Sequence, residues 1–295
     1  MTSDELAVLR GMLAEAPFDF TTPAAEVRAA FNGATATFPV DESYTFVEKT
    51  IGGVSGLWMD APSKSDKVLF YVHGGALLVG DTFGYRGLSG NLANAAGVNM
   101  FSIDYRLAPE HTFPAAHDDV LAAYKGLLAE GFAAENIVVA GDSAGGGLTL
   151  SLLLDIRANG LTQPGAAVVL SPWADLTHSG ETMVTKKEID NSLTQEGLQS
   201  GADQYLNGHS ANDPRVSPLF GDFTSFPPLL VEVGADEILL DDSVRVTEKA
   251  SASEVDVTLH IWPDMPHDWS LFAFMLSEGR DMIDEVGSWI NSKLV

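Results

Sequence analysis

The chain has 295 residues, of which 45% are hydrophobic, enough for one large α/β domain with insertions or for two small domains. Its net charge of −25 argues against nucleic acid and anionic membrane surfaces as partners, because both attract basic patches. It contains no cysteine, which excludes disulfides, thiolate metal sites and cysteine nucleophiles. On the simplest reading the charge confers solubility; adaptation to high salt is a sharper one.

The start, Met1-Thr2-Ser3-Asp4-Glu5, is acidic and lacks a basic region followed by an apolar core. No secretory signal is expected, and the expected location is the cytoplasm. Leu6, Leu9 and Leu13 sit at helical spacing between Ser3 and Ala16, with Ser3 as candidate N-cap. After Pro17 and Pro23 a short helix is expected over Ala24–Phe31, and the opening segment reads as a helical appendage. Tyr44–Lys49 and Val54–Met59 form a hairpin through Gly52-Gly53. A buried strand, Lys67–Val72, runs into His73-Gly74-Gly75-Ala76. Gly84–Ala96 reads as a helix, Val98–Asp104 as a strand and Pro114–Glu130 as a helix. Beyond the strand Ile137–Ala140 and the helix Leu148–Leu154 comes the strand Ala166–Leu170, ending at Ser171-Pro172-Trp173. The alternation pauses from Asp175 to Pro218, a polar insertion with one helix expected over Thr194–Leu206. It resumes with the strand Leu229–Val233, a helix from Asp241 to Ala252, the strand Val255–Ile261 and a helix from Gly279 to Lys293. Alternating strands and helices predict a mainly parallel sheet with helices on both faces. No apolar run approaches the roughly 20 residues of a membrane-spanning helix.

The most informative stretch is Ile137-Val138-Val139-Ala140-Gly141-Asp142-Ser143-Ala144-Gly145 and the apolar helix after it. G-x-S-x-G alone arises by chance about 0.1 times in a chain of this length. Between a buried strand and a helix it is the signature of a nucleophile elbow, whose tight turn leaves no room for side chains two residues either side of the serine. A serine nucleophile needs a histidine base and an acid that orients it, in the chain order Ser, acid, His on this kind of scaffold. Of the seven histidines, His260 lies within an alternating strand, whereas His267 follows a loop beyond that strand's end and is the expected base. Asp236, just past the strand Leu229–Val233, is the expected acid. Glu237, Asp241 and Asp242 fall further along and read as solvated or helix-capping groups. The expected oxyanion donors are the amides of Gly74, Gly75 and Ala144.

These residues resemble the hormone-sensitive-lipase-like (bacterial type IV) family of carboxylesterases. The resemblance rests on His73-Gly74-Gly75, the run from Asp104 to Glu110, Gly141 to Gly146, Ser171-Pro172-Trp173 and the Asp236 and His267 loops. It implies an α/β-hydrolase core, with residues 1–43 and 176–217 as cap segments and 44–175 and 218–295 as the two parts of the core. It implies hydrolysis of short-acyl esters through an acyl-enzyme, with neither metal nor organic cofactor. Asp104, Tyr105 and Arg106 would be structural, His73 would brace the oxyanion loop, and two copies could pair through the last strand and helix. Ala76 stands where the family usually has a third glycine, and its methyl group is expected to narrow the alcohol side. The same triad would serve an amidase, an arylformamidase or a lipase. A non-catalytic small-molecule receptor on this fold is the remaining alternative.

Overall fold

The computed structural model of the protein describes residues 4–15 and 19–294. Ser3, the expected N-cap, and the helix end at Ala16 lie outside the described residues. Eight strands form one sheet: β1 (Phe46–Ile51), β2 (Val54–Met59), β3 (Val68–Val72), β4 (Asn99–Ile103), β5 (Ile137–Asp142), β6 (Ala166–Leu170), β7 (Leu229–Gly234) and β8 (Val257–Trp262). Their order is β1-β2-β4-β3-β5-β6-β7-β8. β2 is antiparallel to both β1 and β4, and every later pairing is parallel. β3 to β7 are buried along their whole length, which is why they read as continuous apolar runs rather than alternating ones.

The helices are α1 (Asp4–Glu15), α2 (Ala24–Thr35), α3 (Thr82–Ala96), α4 (Ala115–Ala129), α5 (Ser143–Ala158), α6 (Thr182–Thr185), α7 (Gln195–Leu206), α8 (Leu240–Ala252) and α9 (Ser277–Lys293). The chain reverses its direction across the sheet at β3. Right-handed crossovers therefore send α3 to one face and α4, α5 and α8 to the other. α9 packs on α3, so closely that a Cβ on Gly287 would stand 2.6 Å from Ala95 Cβ. The same reversal opens a crevice at the carboxyl ends of β3 and β5, where such sheets hold their ligands. Val72 pairs with Gly141, so the loops after these two strands leave side by side.

α5 begins at Ser143, five residues before the expected helix. Its Gly145-Gly146-Gly147 run is poorly helical by propensity. Contacts with the sheet override that. A Cβ on Gly145 would lie 2.0 Å from the Val72 carbonyl oxygen, and one on Gly147 2.2 Å from that of Trp173. The insertion holds α6 and α7, with no strand, as expected. α7 is capped by Thr194, whose hydroxyl accepts from Gly197 N–H at 3.0 Å.

α1 buries Leu6, Leu9 and Leu13, and α2 buries Val27 and Phe31. Both are tied to the core loops. The Arg28 guanidinium donates to the carbonyls of Leu78 and Ala108, each at 2.7 Å, and pairs with Glu110.

Candidate active site

Ser143 sits at the junction of β5 and α5 with a left-handed φ of 49°, a strained conformation for a residue with a side chain. The turn is held by steric necessity. A Cβ on Gly141 would come within 2.4 Å of the Gly145 carbonyl oxygen. The first amides of α5 point into the crevice at the positive end of the helix dipole.

His267 lies in the loop after β8, and its Nε2 is 3.0 Å from Ser143 Oγ. Its Nδ1 is 2.6 Å from Glu237 Oε2. Glu237 is fully buried. Its other oxygen accepts from Ser171 Oγ–H at 2.6 Å and from Gly234 N–H at 2.7 Å. Burial pushes the Glu237 carboxyl up, while His267 and Ser171 pull it back.

The expected acid, Asp236, does not reach His267. Its carboxylate points the opposite way, into an ion pair with Arg10 of α1 at 2.5 Å and towards Lys186 at 3.6 Å. Arg10 also donates to the Asp264 carbonyl oxygen at 2.7 Å, so it clasps the loops after β7 and β8 together. Asp236 stands nearer the strand end, but its amide is committed to Met265 O at 3.0 Å. That bond turns its side chain outward and the next residue's inward, and the longer glutamate spans the remaining gap. The sequence signal for Glu237 is the apolar run after it, Ile238-Leu239-Leu240, which marks a buried position.

The loop after β3 also differs from expectation at one residue. Gly74 N–H donates to Asp142 Oδ1 at 3.0 Å and is unavailable to a substrate. The next two residues, Gly75 and Ala76, line the cavity with Ser143 and His267. Gly75 has a φ of 107° and Ala76 one of 52°. A Cβ on Gly201 of α7 would stand 3.4 Å from Ala76 Cβ, so that methyl group faces α7. Ala144, one residue into α5, has no helical acceptor for its amide. His73 stacks on Tyr105 at 4.3 Å between ring centroids, and its Nδ1 lies 2.7 Å from Gly74 O. Tyr105 O–H donates to His73 O at 2.8 Å. Burial lowers the His73 pKa. Asp104 accepts from the Thr82 amide and hydroxyl, and Arg106 forks onto Asp119. His260 pairs with Glu232 at 2.9 Å, away from Ser143.

Two residues escaped the sequence reading. Asp142 is buried beneath the serine, where its Oδ1 also accepts from Tyr71 O–H at 2.6 Å. Asp268, directly after the histidine, places Oδ2 3.0 Å from His267 Nε2. The cavity above Ser143 is narrow, about 60 Å³. Its walls are mostly apolar, with Leu13, Phe20, Phe31 and Phe38 coming from before β1 and Leu193 and Leu198 from between β6 and β7.

Residues 69–271 match a family described as having the alpha/beta hydrolase fold. An acetyl-hydrolase of Streptomyces hygroscopicus is 37% identical over 243 residues, covering 82% of this chain and 81% of that protein. An esterase of Acinetobacter venetianus is 34% identical over 256 residues, 86% of this chain and 84% of its own. Among solved structures, an esterase from the bacterial hormone-sensitive lipase family superposes with a TM-score of 0.96 at 37% identity over 100% of both chains. EstE5, in a crystal soaked with p-nitrophenyl butyrate, superposes with a TM-score of 0.95 at 37% identity over 99% of both.

Proposed function

The chain belongs to the hormone-sensitive-lipase-like family of bacterial esterases and is a carboxylic ester hydrolase; from that premise we propose that Ser143, His267 and Glu237 are its catalytic triad. The observation that carries this is the buried chain from Ser143 Oγ through both nitrogens of His267 to Glu237, at 3.0 and 2.6 Å. Ser143 attacks the ester carbonyl as its proton passes to Nε2. The amides of Gly75, Ala76 and Ala144 hold the oxyanion. The imidazolium protonates the departing alkoxide, and the alcohol leaves. Water, deprotonated by the same nitrogen, then cleaves the acyl-enzyme and regenerates the serine. Glu237 keeps Nδ1–H in place and stabilises the imidazolium each time it forms.

The narrow apolar cavity supports esters with short acyl groups as substrates. Residues 1–43 and 176–217 act as the cap, because they supply its walls. The site is expected to work in the cytoplasm. No helix among the described residues is long and apolar enough to cross a membrane. Two copies pair through β8 and α9; the outer edge of β8 has no strand beside it among the described residues and exposes Ile261.

Intact-mass analysis after fluorophosphonate treatment, with wild type beside Ser143→Ala, tests the nucleophile. One adduct, absent from the variant, is expected. Hydrolysis of p-nitrophenyl acetate and butyrate should exceed that of octanoate and palmitate. An unlabelled wild type, or a variant of undiminished activity, overturns the assignment.

A further inference from the structure

His267 has a carboxylate on each of its nitrogens. Glu237 holds Nδ1, as the triad requires. Asp268 Oδ2 stands 3.0 Å from Nε2, the same distance as Ser143 Oγ. Asp268 reaches there because it follows the histidine in a left-handed conformation, φ 51°, which folds its side chain back over the ring. Its residue is only 8% exposed, and its Oδ1 is buried without a hydrogen-bond partner.

The contact has a definite proton requirement. In a base ready to accept the serine proton, Nδ1–H points at Glu237 and Nε2 presents a bare lone pair. A carboxylate oxygen at hydrogen-bond distance from that lone pair is repulsive, because neither atom has a hydrogen to share. The contact is attractive only with a proton between the two atoms, as imidazolium beside carboxylate or as imidazole beside carboxylic acid. We propose that Asp268 keeps a proton on the reactive nitrogen of His267 in the resting enzyme, so that catalysis begins with the loss of that proton to solvent.

The surroundings of the ring favour this. Glu237 comes from the loop after β7, with Asp190 of the insertion behind it. Asp142 comes from the end of β5 and Tyr71 from β3, while Tyr85 of α3 lines the cavity. None of these is cationic. Burial alone would lower the basicity of His267, but Asp268 and Glu237 outweigh it and hold the ring well above its ordinary value. Burial and the neighbouring Asp268 push the Asp142 carboxyl up. No bond other than the one to this proton is made or broken in the activating step. Ser143 then follows the ordinary course, and Asp268 meets Nε2–H again in the tetrahedral intermediate, where it stabilises the positive charge.

The inference rests on Ser143 and His267 being nucleophile and base, and the experiment separates the two. kcat/KM for p-nitrophenyl butyrate is followed from about pH 5 to about pH 10 in wild type, Asp268→Asn and Ser143→Ala. The wild-type rate should rise with a limb well above the ordinary histidine value of about 6.5. In Asp268→Asn that limb should move down by about one unit or more, making the variant about tenfold faster than wild type, relative to its own plateau, at the acid end. A limb unmoved in Asp268→Asn, with only the plateau changed, leaves Asp268 a structural residue and overturns the inference. So does a wild-type limb at or below the ordinary value. An active Ser143→Ala instead sinks the reading of the site itself. The wild type alone offers a second readout should Asp268→Asn fail to fold. The Cε1–H resonance of His267 should keep its imidazolium shift up to the pH of the kinetic limb, and an imidazole shift at lower pH would count against the proposal.

Discussion

Replacing Glu237 with glutamine, alongside Asp236→Asn, discriminates the acid from its neighbour. Glu237 Oε1 is fixed by two donors, Ser171 Oγ–H and Gly234 N–H, at 2.6 and 2.7 Å. A glutamine must keep its carbonyl oxygen there and turn its NH₂ towards His267 Nδ1. Nδ1 can meet that donor only as an acceptor, so the ring proton is driven to Nε2. A base protonated at its reactive nitrogen cannot take the serine proton. Loss of the acid in serine-hydrolase triads lowers kcat by about 10³ to 10⁴, or about 4 to 5.5 kcal/mol of transition-state stabilisation, and that size is expected for Glu237→Gln. Asp236 is engaged only in partly exposed pairs with Arg10 and Lys186. Such pairs contribute about 0 to 1 kcal/mol, so Asp236→Asn should change kcat by less than about tenfold. The assay is steady-state hydrolysis of p-nitrophenyl butyrate, with circular dichroism to establish folding. A folded Asp236→Asn that loses about a thousandfold while Glu237→Gln stays active would refute the reasoning.

Leu198→Ala removes a side chain that is 1% exposed and lines the cavity, so octanoate should gain on butyrate by several-fold in kcat/KM. Thermal melting should show a cost of about 2 to 5 kcal/mol, and an unchanged chain-length profile would mean that this wall does not bound the acyl group. Glu232, buried in β7 beside His260 and Trp262, has its carboxyl pushed up to about 7, mainly by burial. A raised carboxyl binds its proton more tightly in the folded state. Its stabilising effect is full below the unfolded value near 4.5 and is lost as pH rises through about 7. Denaturant titrations between those two pH values should therefore show wild type losing on the order of 3 kcal/mol more than Glu232→Gln. Parallel curves for the two proteins would exclude this.

The strand-to-helix turn at Ser143, the sheet and the place of His267 beyond the last strand were open to reading because each is decided by neighbours in sequence. A run of β-branched residues, Gly-x-Ser-x-Gly and an apolar helical run together mark a sharp strand-to-helix turn. His267 stood out from His260 because strand alternation accounts for one and not the other. The donors around the oxyanion were less legible. Gly74 and Gly75 look alike in sequence, and only the approach of Asp142 from β5 occupies the amide of Gly74.

Composition and periodicity by themselves determined a mainly parallel α/β fold, a serine at a strand-to-helix turn and a histidine after the last strand. Only the tertiary structure decided which carboxylate meets that histidine. Asp236 and Glu237 are adjacent, both acidic and both just beyond β7, and no local propensity separates them. What separates them is direction. The Met265 carbonyl anchors the amide of the first, Arg10 draws its carboxylate outward, and Ser171 and Gly234 hold the second beneath the ring. Those partners come from distant parts of the chain. The choice between neighbouring carboxylates is therefore made when the strands assemble.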